Sequence, residues 1–123
     1  MNLHVVDFPL AVVRLEPSDP IPDFALKSPF FSITKTATEL SLFLAEDCVP
    51  EGMDASTGWR AFHIEGTIDL GLTGVISALT MPLATKQISV FSISTHDTDY
   101  LIVPDDRLED AIELLQRAGF QWV

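Results

Sequence analysis

The chain contains, in its second half, the sequence Phe91-Ser92-Ile93-Ser94-Thr95-His96-Asp97-Thr98-Asp99-Tyr100. A related version occurs in the first half as Phe31-Ser32-Ile33-Thr34-Lys35-Thr36-Ala37-Thr38-Glu39-Leu40. The two versions match without a gap, so that Phe31 aligns with Phe91 and Thr38 with Thr98, and an apolar run follows each of them. In a chain of 123 residues this recurrence favours an internal duplication, with coincidence as the alternative.

Each version predicts a β-hairpin. Residues 30–35 and 88–94 are rich in Phe, Ile and Val, as strands are. The turns that follow carry Thr, Ala and Asp, and the hydroxyl of Thr38 or Thr98 is expected to hydrogen-bond the turn backbone. That local role would by itself account for the recurrence of the two threonines.

A strand is also predicted upstream of each hairpin, over 11–15 and over 59–65. In the second half, apolar residues with helical spacing predict a helix over 73–86 between that strand and the hairpin. Thr73 is expected to cap this helix, and Pro82 predicts a kink or a late end because proline has no N–H to donate. The corresponding stretch of the first half holds four prolines, which leave room only for a short helical turn.

A second helix is predicted near the C-terminal end of the sequence. Asp105 or Asp106 is expected to cap it, and Gly119 is expected to end it. Residues 120–123 then predict a short strand. The second half therefore has the order βαββαβ, which is the ferredoxin-like arrangement of an α+β fold. The first half lacks a clear second helix, because residues 47–58 contain Pro and Gly and predict a loop.

The composition excludes several classes of function. Asp and Glu number 18 against 7 Lys and Arg, which gives a net charge of −11. Such a chain repels phosphate backbones and offers no basic patch to anionic lipids, so we expect neither nucleic acid nor membrane as a partner. No apolar run approaches the ~20 residues of a transmembrane helix. Because no signal peptide is evident and Cys48 has no second cysteine to pair with, we expect a cytoplasmic protein.

The sequence offers no motif for catalysis or for metal binding. His96 and Asp97 are adjacent, but the other two histidines, His4 and His63, are far away in the sequence. No His-x-x-x-His or Cys-x-x-Cys spacing occurs, and no phosphate loop, dinucleotide fingerprint or nucleophile elbow is present. We therefore expect no catalytic residues, no metal and no cofactor, and we interpret the chain as a non-enzyme.

Several segments together resemble a known family. The quoted hairpin of the second half, extended to 88–103, and the stretches 65–75 and 82–84 look like tandem ACT-domain proteins. The relevant branch is the small bacterial ACT proteins related to the CASTOR-type arginine sensors of eukaryotes. Residues 31–42 resemble the first repeat of that branch. The resemblance implies two ferredoxin-like ACT-type units in tandem, a degenerate N-terminal unit over 1–58 and a complete C-terminal unit over 59–123.

The resemblance also implies a regulatory, ligand-binding function. ACT domains pair side by side and bind small molecules, usually amino acids, at the interface between units. The ligand commonly touches the loop between the first strand and the first helix and the adjoining strand ends of the neighbouring unit. Carried onto this chain, the implied ligand-binding residues are Asp69, Leu72, Thr73, Gly74, Val75, Ile93, Ser94 and Thr95.

The chemistry of this loop agrees with that implication. Gly71 and Gly74 permit a close approach of the backbone, and the N–H groups that open the helix are able to hold a carboxylate. Asp69 is able to pair with an ammonium group. The alternative is a plain strand-to-helix turn that needs its glycines for conformation only.

The predicted function is thus the sensing of a small molecule, expected to be an amino acid. The resemblance also implies a homodimer formed through ACT units. The alternative is a ligand-free interaction module or regulatory subunit.

Overall fold

The chain forms eight strands and three α-helices, and the computed structural model describes all residues from Met1 to Val123. They divide into an N-terminal unit, Phe8–Trp59, and a C-terminal unit formed by Met1–Asp7 together with Arg60–Val123. The elements are β1 (Asn2–Val5), β2 (Leu10–Leu15), α1 (Asp23–Leu26), β3 (Phe31–Lys35), β4 (Leu40–Ala45), β5 (Ser56–Ile64), α2 (Val75–Ala84), β6 (Phe91–Ser94), β7 (Asp99–Pro104), α3 (Leu108–Arg117) and β8 (Gln121–Trp122).

The N-terminal unit is a ferredoxin-like unit with reduced helices. Its strands lie in the order β3-β4-β2-β5, and β2 is antiparallel to both of its neighbours. The predicted short helical turn is confirmed as the four-residue α1, and a three-residue 3-10 turn, Glu46–Cys48, stands where a second helix would be. The buried core consists of Val13, Ala25, Leu40, Leu42 and Leu44.

The N-terminal unit also has a fourth strand that the sequence analysis assigned to a loop. The first residues of β5, from Ser56 to Trp59, pair with β2. Gly58 lies within them at φ +78°, and the pairing register shifts there, as at a β-bulge. The glycine that suggested a loop therefore marks an irregularity inside a strand.

The C-terminal unit has the predicted βαββαβ order with one strand added. Its strands lie in the order β6-β7-β5-β1-β8, so that β1 is inserted between β5 and β8. Strand β1 is antiparallel to β5 and parallel to β8. Leu3 pairs with Ile64 and with Trp122, and its side chain is fully buried in this core. Residues 1–7 thus lie in the C-terminal unit, whereas the sequence analysis counted them in the first unit.

Two predicted helix caps are wrong. Helix α2 begins after Gly74, which has φ +80°, and no side chain caps it, so Thr73 does not. Helix α3 follows a 3-10 turn over Asp105–Arg107, so both predicted aspartates lie before the capping position, which Arg107 occupies without a side-chain cap. The predicted end is confirmed, because Gly119 has φ +104° and its N–H donates to the Gln116 carbonyl at 3.1 Å.

Both predicted hairpins are present, but the register of their strands shows that the gapless sequence match is shifted by one residue from the structural equivalence. Lys35 pairs with Leu40 in the first hairpin, and Ser94 pairs with Asp99 in the second. Lys35 is therefore the structural equivalent of Ser94, whereas the gapless sequence match aligns it with Thr95. A slip of one residue places matched side chains on opposite faces of a strand. The match between the two sequences consequently does not align structurally equivalent positions.

The threonines that hold the turns are also different from those predicted. The Oγ1 atoms of Thr36 and Thr95, not those of Thr38 and Thr98, accept the N–H groups of their own turns, at 3.2 Å in each case. Thr98 is buried and donates its hydroxyl to the carbonyl of Ile64 at 2.7 Å. Its role is therefore to join the second hairpin to β5.

Candidate functional site

The C-terminal unit contains a cleft of about 330 Å³ between the loop that precedes α2 and the turn of the second hairpin. This volume is at the lower end of the range, roughly 300–1,000 Å³, of small-molecule sites. The loop and the first turn of α2 supply one wall, and the hairpin supplies the other. The lining residues are Ile68, Asp69, Leu70, Leu72, Gly74, Val75, Ile76, Ser77, Ser94, Thr95, His96, Asp97, Thr98 and Asp99.

The loop side of the cleft is a turn closed by its own hydrogen bonds. The Oδ1 atom of Asp69 accepts the N–H of Gly71 at 2.8 Å, and the Asp69 carbonyl accepts the N–H of Leu72 at 2.9 Å. Asx turns of this kind position a carboxylate while leaving part of its acceptor capacity unused. The side chain of Asp69 therefore shapes the loop and still offers an anionic oxygen to the cleft.

The two walls of the cleft are joined by main-chain bonding. The N–H of Ile68 donates to the carbonyl of Asp97 at 2.6 Å, although the two residues are far apart in the sequence. The hairpin turn itself is closed by Thr95, whose hydroxyl donates to the Thr98 carbonyl at 3.1 Å. These bonds set the distance between loop and hairpin before any ligand arrives.

One end of the cleft is suited to an anion. The backbone N–H groups at the start of a helix have no partners within the helix, and the helix dipole makes that end positive. In α2 no side chain satisfies them, and Val75, Ile76 and Ser77 of its first turn line the cleft. Gly74, at φ +80°, lets the chain enter the helix without a side chain over these groups.

The opposite wall of the cleft is acidic. Asp97 and Asp99 of the hairpin face the same cleft as Asp69, and no Lys or Arg lines it. Ser94 donates its hydroxyl to Oδ1 of Asp99 at 2.7 Å, and Nδ1 of His96 lies 2.9 Å from Oδ1 of Asp97. The cleft thus combines a helix N-terminus with three carboxylates, which is complementary to a molecule that carries both an anionic and a cationic group.

Six of the eight candidate residues line this cleft: Asp69, Leu72, Gly74, Val75, Ser94 and Thr95. Ile93 does not; it pairs with Tyr100 within the hairpin. Thr73 lies instead on a second cavity, of about 210 Å³. Asp97 and Asp99 also line the cleft but were not among the predicted site residues, because the predicted site ended at Thr95 and did not extend into the turn.

The structure contains no group of three or more His, Cys, Asp or Glu side chains arranged to hold a metal ion. The pair formed by His96 and Asp97 is exposed and has no third ligand beside it. None of the helices has the length and apolar content that crossing a bilayer requires.

Models of known protein families match both halves of the chain. The family model of the ACT domain matches residues 54–117, and a second family model, which describes an N-terminal domain, matches residues 9–52. The chain belongs to the ACT-domain family. It is also 37% identical, over 60 residues, to the human and the bovine proteins named cytosolic arginine sensor for mTORC1 subunit 1. That match covers 48% of this chain but only 18% of the length of these curated relatives.

Solved structures with the same fold cover nearly the whole chain. A crystal structure of a protein from Agobacterium tumefaciens is 33% identical, with a TM-score of 0.92 over 99% of this chain and 91% of that one. The ligand-free regulatory subunit of aspartate kinase from Thermus thermophilus is 13% identical, with a TM-score of 0.67 over 95% of this chain and 96% of that one. The second likeness concerns the fold alone. Both agree with the α+β fold of two tandem ACT-type units.

Proposed function

We propose that this protein is a non-catalytic regulatory protein that binds a free amino acid in the cleft between the loop preceding α2 and the second hairpin. The observation that carries the proposal is the presence of an uncapped helix N-terminus and three aspartates in the lining of one small cleft. A free amino acid has a carboxylate and an ammonium group attached to the same carbon atom. The cleft offers complementary partners to both groups.

The carboxylate of the amino acid would be held by the first turn of α2. The N–H groups of Val75, Ile76 and Ser77 would donate to it, and the positive end of the helix dipole would favour its charge. Gly74 places no side chain at the residue before this first turn. These are main-chain interactions, so they do not depend on the identity of the amino-acid side chain.

The cationic groups of the ligand would be held by the aspartates. Asp69 keeps an anionic oxygen free of its turn, and Asp97 and Asp99 are on the facing wall. Because no Lys or Arg neutralises these carboxylates within the cleft, a ligand with a second positive charge is favoured over a neutral one and an acidic ligand is disfavoured. We therefore propose basic amino acids as the preferred class.

The comparisons support the same class of function at a coarser level. The curated relatives carry the name of an arginine sensor, and a regulatory subunit of aspartate kinase has the same fold. Neither likeness transfers a partner protein, since this chain matches only 18% of the length of the arginine sensors. A cytosolic location is proposed on the name of those relatives.

Ligand titration monitored by thermal unfolding tests the proposal. A ligand at 100 times its dissociation constant stabilises the native state by about 2.7 kcal/mol, which is readily measured. We expect arginine or lysine to raise the unfolding temperature more than glutamine and much more than glutamate. No shift with any of the twenty amino acids at millimolar concentration would contradict the proposal.

The variant Asp69→Asn distinguishes binding in the cleft from binding elsewhere. An asparagine is still able to accept the N–H of Gly71, so the turn is preserved while the charge is removed. Asp106→Asn removes the same charge from an exposed position outside the cleft and serves as the matched control. The ligand-induced shift should fall in the first variant and persist in the second; equal effects would place the ligand elsewhere.

A further inference from the structure

One side chain that lines the cleft is able to change its charge near neutral pH. This residue is His96, which lies in the turn of the second hairpin. A histidine ordinarily changes its charge between pH 5 and 8, whereas carboxylates ordinarily stay ionised over the same range. The total charge of the cleft therefore depends on whether His96 carries a proton.

His96 is in direct contact with one of the three aspartates of the cleft. Its Nδ1 atom lies 2.9 Å from Oδ1 of Asp97. The side chain of His96 is 82% exposed and that of Asp97 is 67% exposed, so both are accessible to protons and to a ligand. A neutral imidazole is able to donate a hydrogen bond to the carboxylate and leave its charge in place. A protonated imidazole forms an ion pair with it and cancels that charge.

The other ionisable groups that line the cleft are all acidic. Asp97 and Asp99 belong to the hairpin, and Asp69 belongs to the loop that forms the other wall. Residues 75–77 of the first turn of α2 have no titratable side chain, and no Lys or Arg lines the cleft. The lining therefore carries three carboxylate charges when His96 is neutral, and protonation of His96 offsets one of them.

We infer that His96 makes the affinity of the cleft for a basic amino acid depend on pH. The inference deepens the proposed function and requires that function to hold. Above neutral pH, His96 is uncharged and all three carboxylates attract a cationic ligand. At acidic pH the imidazolium pairs with Asp97 and repels the ligand's positive charge, so the affinity for arginine falls.

Calorimetric titration with arginine at pH 7.5 and at pH 5.5 tests the inference. We expect the affinity to be lower at pH 5.5 by about two- to fivefold, the effect of one exposed ion pair. The guanidinium group of arginine stays protonated at both pH values, so the change must arise in the protein. Citrulline, whose side chain is uncharged, should show a smaller change. Thermal unfolding without ligand verifies that the protein is folded at both pH values.

The titration separates the failure of this inference from the failure of the proposed function. Equal affinities for arginine at the two pH values would overturn the role of His96 and leave amino-acid binding intact. An absence of arginine binding at both pH values would overturn both proposals.

Three variants assign the pH dependence to one histidine. His96→Gln has no charge at either pH, so it should bind arginine with an affinity that does not change. His96→Lys is positive at both pH values and should bind weakly at both. His4→Gln removes a half-buried histidine that does not line the cleft, and its pH dependence should match that of the unmodified protein. A pH dependence that persists in His96→Gln, or disappears in His4→Gln, would overturn the inference.

Proton release supplies a second readout. Because binding and protonation are linked reciprocally, a ligand that binds better to neutral His96 must displace a proton from it. At pH 6.5 the heat of arginine binding should therefore differ between PIPES and ACES, two buffers with different heats of ionisation, and the difference should disappear in His96→Gln. Equal heats in the two buffers for the unmodified protein would overturn the inference.

Discussion

Thr98 donates its hydroxyl to the carbonyl oxygen of Ile64 at 2.7 Å, although 34 positions separate the two residues in the sequence. Thr98 is only 8% exposed and is one of two buried polar residues in the chain. The bond joins the turn of the second hairpin to the end of β5, directly before the loop that carries Asp69. One wall of the cleft is thereby attached to the strand from which the other wall begins.

Replacing Thr98 by valine should destabilise the protein by about 0.5–1.5 kcal/mol, the net contribution of one hydrogen bond. Valine has nearly the same shape but cannot donate to the Ile64 carbonyl, whereas Nδ1 of His63 still lies 3.0 Å from that oxygen. Urea unfolding measures the change. Thr38→Val is the matched control, because Thr38 is exposed and its hydroxyl contacts only that of Thr36, so its effect should stay within about 0.5 kcal/mol. Equal effects would mean that the Thr98 bond does not stabilise the fold.

Replacing Gly74 by alanine should weaken both the fold and ligand binding. Gly74 has φ +80°, and a non-glycine residue in this conformation costs roughly 1–2 kcal/mol. No atom lies within 4 Å of the position that a Cβ would occupy, so the cost arises from the backbone and not from a clash. Gly71→Ala is the control, because its φ is not in the left-handed region. Thermal unfolding with and without arginine separates the two effects; a Gly71→Ala loss as large as that of Gly74→Ala would contradict this account.

The preference for a positively charged ligand should depend on Asp97. Arginine and citrulline have similar shapes, but only arginine carries a guanidinium charge. In Asp97→Asn we expect the ratio of their affinities to fall by about two- to fivefold, the effect of one exposed ion pair, and we expect the preference to weaken in high salt. Isothermal titration calorimetry measures both affinities. An unchanged ratio would show that Asp97 does not contact the ligand's side chain.

The inserted strand β1 should contribute strongly to the C-terminal unit. Leu3 is fully buried, and its replacement by alanine should cost about 2–5 kcal/mol, as for other buried leucines. Leu26→Ala is the comparison, because Leu26 is largely exposed in α1 and should cost far less. Chemical unfolding provides the measurement. A small effect of Leu3→Ala would indicate that the C-terminal unit is stable without its N-terminal strand.

Local patterns in the sequence predicted the elements whose signals are contained within a few residues. A segment rich in Phe, Ile and Val and a turn with threonine and aspartate predicted the second hairpin, and Gly119 predicted the end of α3 through its left-handed conformation. The position of the loop around Asp69 between a strand and a helix was also predicted. These features follow from backbone conformation and hydrophobic periodicity, which neighbouring residues determine.

Tertiary structure decided the pairing of segments that are far apart in the sequence. The insertion of β1 beside β5 buries Leu3 next to Ile64, and no local sequence pattern predicts this pairing. Likewise, the hydrogen bond between Ile68 and Asp97 brings the hairpin turn to the cleft together with the strand end. Hairpin register is set by which side chains the core buries, and a shift of a single residue reverses the faces. The sequence therefore determined the kinds of elements and the family, while long-range packing determined which side chains meet in the cleft.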